Sequence, residues 1–186
     1  MSAVPVAWLV ARAAGLVALA LLTLSMWLGL GMSTRLLGPR RQKQLLGWHR
    51  TLVWTGLSMI GLHGLALLFD PTIHFGPAAL LVPLASPWHP GAVAAGVVAG
   101  WLSLMLALSF RARKWIGQRG WRRLHYASFG AFVLSVGHAL TVGTDLRGVG
   151  GPLVAAVTLA PTLWFVLLRI LEPKVRPRAV AAQAAR

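Results

Sequence analysis

Four histidines in this 186-residue chain form two pairs, His49 with His63 and His125 with His138, each on an apolar stretch of helix length. The spacings are 14 and 13 residues. At about 1.5 Å rise per residue, either spacing covers about 20 Å along a helix axis, most of a hydrocarbon core. An imidazole is costly inside a membrane and usually marks a functional position there. Two spans with one histidine near each face would offer two imidazole pairs at two depths, and paired imidazoles are axial ligands of b-type haem. His49 with His125 would grip one haem iron near the inner face, and His63 with His138 a second near the outer face. Taken singly, each histidine is as well explained by a hydrogen bond to a neighbouring helix carbonyl. The match of all four depths points to metal.

Azimuth is the weaker match. At about 100° per residue, a step of 14 returns within about 40° of its start, whereas a step of 13 misses by about 140°. Either a bulge or kink near Gly130 or Gly137 brings His125 and His138 to one side, or the helix passes between the two haem planes. Gly61 and Gly64 flank His63, and Gly137 precedes His138. These glycines would let a flat macrocycle approach the backbone, although ordinary helix packing explains them equally well. Trp54, Phe129 and Phe132 lie between the two depths, where aromatics at helical spacing are more often packing than conduit. His74 and His89 read as solvated loop residues. Gly96 and Gly100 form a small-xxx-small pair of the kind that serves helix contact.

The elements that must position these residues are membrane helices. The chain is 57% hydrophobic with three acidic residues, far from the balance of a soluble domain. Apolar runs at about 7–32, 47–69, 91–110, 124–143 and 151–171 predict an all-α polytopic transmembrane bundle of about five spans. Continuous apolar runs, rather than alternating ones, exclude a transmembrane barrel. The first run lacks a basic leader and exceeds the length of a signal-peptide core, so it reads as a retained span. Residues 1–171 form one membrane domain, and 172–186 reads as a disordered cytoplasmic tail rich in Pro, Ala and Arg.

The net charge of +15 does not indicate nucleic acid, because 16 of the 18 Lys and Arg cluster between or after the runs. Arg35, Arg40, Arg41, Lys43 and Arg50 form one cluster, Arg111 to Arg123 a second, and Arg169 with the tail a third. The segments 70–90 and 144–150 carry Asp70, Asp145 and one basic residue, Arg147. By the positive-inside rule the N-terminus is outside and the C-terminus cytoplasmic. Trp48, Trp115 and Trp121 read as inner interfacial anchors, and Trp8 and Trp88 as outer ones. Arg12 lies in the first span near the outer face. It either snorkels to headgroups or partners the propionates of the outer haem. Arg50, Arg122 and Arg123 are the equivalent candidates at the inner level, where a role as orientation signals explains them equally well. The absence of cysteine excludes disulfides, iron–sulfur clusters and thiolate metal sites.

The pattern His49-x13-His63 on one span and His125-x12-His138 on the span two later resembles the ferric reductase-like transmembrane domain. That family includes ferric-chelate reductases, NADPH oxidases and the haem subunit of a periplasmic methionine sulfoxide reductase system. The resemblance covers about residues 7–171. It implies two haem b groups and an electron-transfer subunit of an oxidoreductase in a cell membrane, with a bacterial inner membrane the natural setting. It also implies a separate donor, a flavoprotein or quinol, and an external acceptor such as ferric iron or a partner reductase. Larger family members carry a flavin and nicotinamide domain and often a sixth span, neither of which is recognisable here. The competing reading is a haem-free small transporter or scaffold subunit. Three carboxylates scattered at span ends, Asp70, Asp145 and Glu172, supply no buried acid for proton coupling. A third reading keeps the haems in a quinol-oxidising cytochrome b.

Overall fold

The computed structural model describes residues 5–33, 39–71, 73–146 and 148–171, which are helical apart from short connections, with no strand among them. The tail from 172, Arg35 and Arg147 lie outside these residues. The helices are α1 (Val6–Ser33), α2 (Pro39–Leu68), α3 (Pro77–Leu81), α4 (Pro90–His125), α5 (Ala127–Val142) and α6 (Gly150–Leu171). Four stretches are long and apolar enough to cross a membrane: Val6–Ser33, Arg40–Leu68, Pro90–Val142 and Gly150–Leu171. The third has 53 residues and contains both α4 and α5. These two double back on each other, since Nδ1 of His138 on α5 reaches the carbonyl of Ala92 at the start of α4. The chain is thus an all-helical, multi-pass membrane protein.

Helix ends depart from the ends of the apolar runs. Hydropathy marks where hydrocarbon begins, while a helix continues wherever its backbone can hydrogen-bond. So α2 starts at Pro39, a residue suited to a first helical turn, and carries Arg40, Arg41 and Lys43 ahead of its apolar part. The segment read as a basic loop, 111–123, is largely helical and belongs to α4. Gly117 interrupts it at φ 72°, a conformation that glycine adopts without a Cβ penalty. Beyond the break the chain turns back, and the Trp121 indole N–H donates to Ser109 Oγ at 3.2 Å.

The junction of α4 and α5 corrects the expected kink near Gly130 or Gly137. Tyr126 interrupts the helix, with its N–H bonded to the Arg123 carbonyl and its own carbonyl accepting from Phe129. Both bonds span three residues, the tighter winding of a 3₁₀ turn. His125 therefore ends α4, and His138 lies on α5.

Packing follows from side-chain size. α1 buries Ala11, Ala14, Ala18 and Ser25, small residues that let helices approach closely in lipid. α2 packs along α1, and at Gly56 a Cβ would lie 3.0 Å from Leu22. On its other side α1 meets α5 and α6 around Leu19, Phe132 and Val136. Trp27 fixes α6 by donating to Thr162 Oγ1 at 3.0 Å. Phe132 thus serves the helix core. The exposed faces are apolar, as at Leu163, Trp164 and Ile170 of α6, which suits contact with lipid.

The proline-rich segment between α2 and α4 folds over one end of the bundle and carries α3. Phe75, Ala79 and Val93 form a small core there, against which Trp88 packs. We call this the loop end, and the opposite one, with Arg40, Arg41 and residues 111–123, the basic end.

Candidate functional site

The four histidines meet as the spacing predicts. His49 on α2 and His125 on α4 have ring centroids 6.3 Å apart at the basic end. His63 on α2 and His138 on α5 are also 6.3 Å apart, at the loop end. The ring planes cross at 72° and 84°. Along α2 the two levels are separated by about 21 Å.

Three of the imidazoles are held from behind by backbone. His63 Nδ1 lies 2.7 Å from the carbonyl of Ala11, and His138 Nδ1 lies 2.8 Å from that of Ala92. His49 Nδ1 is 2.9 Å from both the carbonyl and the hydroxyl of Ser25. A carbonyl only accepts, so the proton sits on Nδ1 and Nε2 keeps its lone pair. This is the arrangement by which an outer partner fixes the tautomer and aim of a metal-ligating histidine. A histidine bonded to a neighbouring helix and a histidine ready to ligate are thus the same residue here. His125 is the exception. Its Nδ1 is buried without a hydrogen-bond partner, and its ring stacks on Trp121 at 4.9 Å and 20°.

Glycines make room for these rings. A Cβ on Gly96 would lie 2.6 Å from His138 Nδ1, one on Gly15 3.0 Å from His63 Nδ1, and one on Gly29 3.5 Å from His49 Cε1. Gly96, read from sequence as a helix-contact residue, is a seat for an imidazole. Gly15 and Gly29 escaped notice, although they are 14 residues apart, as are His49 and His63. Antiparallel helices in contact must repeat at the same interval, so the signal was present. Gly61, Gly64 and Gly137 have nothing within 4 Å of a Cβ.

A cavity of about 610 Å³ opens at the loop end, within the usual size range of cofactor and ligand pockets. His63, His138, Gly64, Gly96 and Gly100 line it, and Phe75, Leu80 and Trp88 border it from the loop. Trp88, read from sequence as an interfacial anchor, therefore faces the cavity. Arg12 also lines the cavity, ion-paired with Asp145, to whose Oδ2 its Nε donates at 2.6 Å. Its guanidinium lies 5.7 Å from the Trp8 ring. Asp145 was assigned no role from sequence, because 133 residues separate it from Arg12.

At the basic end Arg50 is exposed, and its guanidinium lies 5.7 Å from the Phe110 ring. Phe110 in turn contacts Trp121 edge to face at 5.9 Å. His74 and His89 are exposed loop residues with positive φ, and His89 packs on Trp88. No group of three or more His, Asp or Glu able to hold a metal gathers among the described residues. Comparison with family models, curated proteins and solved structures finds no match to this chain.

Proposed function

We propose that this chain is a di-haem b membrane protein of the ferric reductase-like kind, carrying electrons across a bilayer. The observation that carries the reading is the equal 6.3 Å separation of both ring pairs. A metal–imidazole bond of about 2.0 Å, with about 1.1 Å from nitrogen to ring centre, sets two axial imidazoles about 6.2 Å apart across one iron. Two unrelated helix crossings have no reason to reach that value twice. A tetrapyrrole would supply the iron's remaining ligands itself. His49 and His125 would hold one haem, and His63 and His138 the other.

Bound there, haem supplies one-electron redox chemistry at its iron. The protein's own part is positional. Ala11, Ser25 and Ala92 fix three tautomers through their carbonyls, and Gly15, Gly29 and Gly96 leave the rings space. Arg12 stands where it could meet an anionic edge of the loop-end group, with Asp145 holding the guanidinium in place meanwhile. Arg50 is the counterpart at the basic end. The positive-inside rule puts the basic end in the cytoplasm and the N-terminus outside. A cytoplasmic flavoprotein or membrane quinol then donates at the basic end, and ferric iron or a partner reductase accepts at the loop end. The setting is a cell membrane, as in bacteria.

A pyridine haemochrome assay on detergent-purified protein tests this directly. The expected result is two haem b per chain, with a Soret band and sharp α and β bands on reduction. A monodisperse preparation expressed with ample haem and still lacking it returns the chain to the transporter or scaffold reading.

A further inference from the structure

Three imidazoles take their orientation from a backbone carbonyl, and the fourth has none. His125 Nδ1 is buried and unpartnered, yet the ring sits at the same 6.3 Å from its mate as the well-held pair at the loop end. Something else must hold it. We propose that Trp121 is the positioning residue of the basic-end pair, setting the plane of the His125 ring with its indole face in place of a hydrogen bond. The inference rests on the haem reading above.

The geometry is specific. Trp121 and His125 are four residues apart on the last turns of α4, the helical spacing that brings side chains together. Their rings are 4.9 Å apart and 20° from parallel, the only stacked contact made by any of the four histidines among the described residues. Trp121 is itself anchored. Its indole N–H donates to Ser109 Oγ at 3.2 Å, and Ser109 Oγ–H donates to the Leu106 carbonyl at 2.7 Å. Phe110 closes on the indole edge to face at 5.9 Å. The break at Gly117 turns the chain so that Trp121 comes back against Ser109. On α2, Trp48 immediately precedes His49. Neighbouring side chains on a helix do not face each other, Trp48 is 58% exposed, and His49 relies on Ser25 instead.

Loss of an outer partner usually weakens a metal site about 10- to 100-fold. Trp121→Leu is therefore expected to weaken basic-end haem binding about tenfold, and Trp121→Phe, which keeps an aromatic face, to restore it to within about threefold of wild type. The test is haem titration of the purified apoprotein of each variant, with low-spin ferric EPR of the loaded protein. The EPR signal reports the orientation of the axial imidazole planes. The expected result is a shifted basic-end signal in Trp121→Leu, a wild-type signal in Trp121→Phe and an unchanged loop-end signal in both. If wild type binds two haems and Trp121→Leu leaves both affinities and both signals unchanged, the positioning role is overturned while the haem reading stands. If the loop-end signal shifts equally, Trp121 acts on the bundle as a whole and the proposal also fails. Wild type that binds no haem overturns the reading beneath it.

Discussion

Substituting Gly96 by alanine is the most direct probe of the loop-end pair. The new Cβ would lie 2.6 Å from His138 Nδ1, 2.7 Å from Cε1 and 2.8 Å from Cγ. The imidazole must then retreat by about 0.8 Å to reach ordinary van der Waals contact. It cannot do so and keep the 2.8 Å bond to Ala92, because residues 92 and 96 lie on consecutive turns of one helix. Losing that bond costs about 1 kcal/mol, and a misdirected ligand costs about 10- to 100-fold in affinity. Gly15→Ala, with its Cβ at 3.0 Å from His63, should cost less. Gly29→Ala, at 3.5 Å from His49, should cost almost nothing. Gly130→Ala, with nothing within 4 Å of its Cβ and outside the cavity lining, is the control. Haem per chain and reduced-minus-oxidised spectra of the four variants provide the assay, with size exclusion to verify folding. The expected order of loss is Gly96, then Gly15, then Gly29 and Gly130 together. Full haem content in Gly96→Ala, or greater loss in Gly29→Ala, would refute the idea that these glycines seat the imidazoles.

Other outcomes follow from the same geometry. His63→Ala or His138→Ala should lose the loop-end haem and keep the other, and equal haem content in wild type and both variants would contradict the pairing. Asp145→Asn releases the Arg12 guanidinium and should leave haem content unchanged, at a stability cost below about 1 kcal/mol for a part-exposed ion pair. Arg12→Leu should weaken the loop-end haem, and identical haem loss in both variants would reduce Arg12 to its ion pair. Trp27→Phe removes the bond to Thr162 and should lower unfolding stability by about 1 kcal/mol, with haem spectra unaltered. A spectral change there would mean that α6 reaches the site.

Much of this arrangement was legible in the chain. Apolar run length gave membrane helices, and the depths of His49, His63, His125 and His138 gave the two levels, because rise per residue is fixed. Direction around the axis was not legible, since it depends on every turn between two residues. The tightened turn at Tyr126 carries no glycine or proline to announce it. Helix ends were also hidden where basic residues prolong a helix beyond its apolar part, as at Pro39. The carbonyls of Ala11, Ser25 and Ala92 have no side-chain signature, because every residue carries one. Asp145 and Trp121 acquire their neighbours only through folding, although the four-residue step from Trp121 to His125 could have been read as a helical contact.

The two helices that carry the loop-end histidines are each packed on a different partner, α2 on α1 and α5 on α4. Each pair carries its own ring-holding carbonyls, Ala11 and Ser25 on α1 for the histidines of α2 and Ala92 on α4 for His138, and the imidazoles of α2 and α5 meet between the pairs. A ligand bridging the pairs would act as a rivet, adding stability by mass action in proportion to the logarithm of its concentration. If that ligand is the haem proposed above, its supply would set how firmly the two helix pairs are held together.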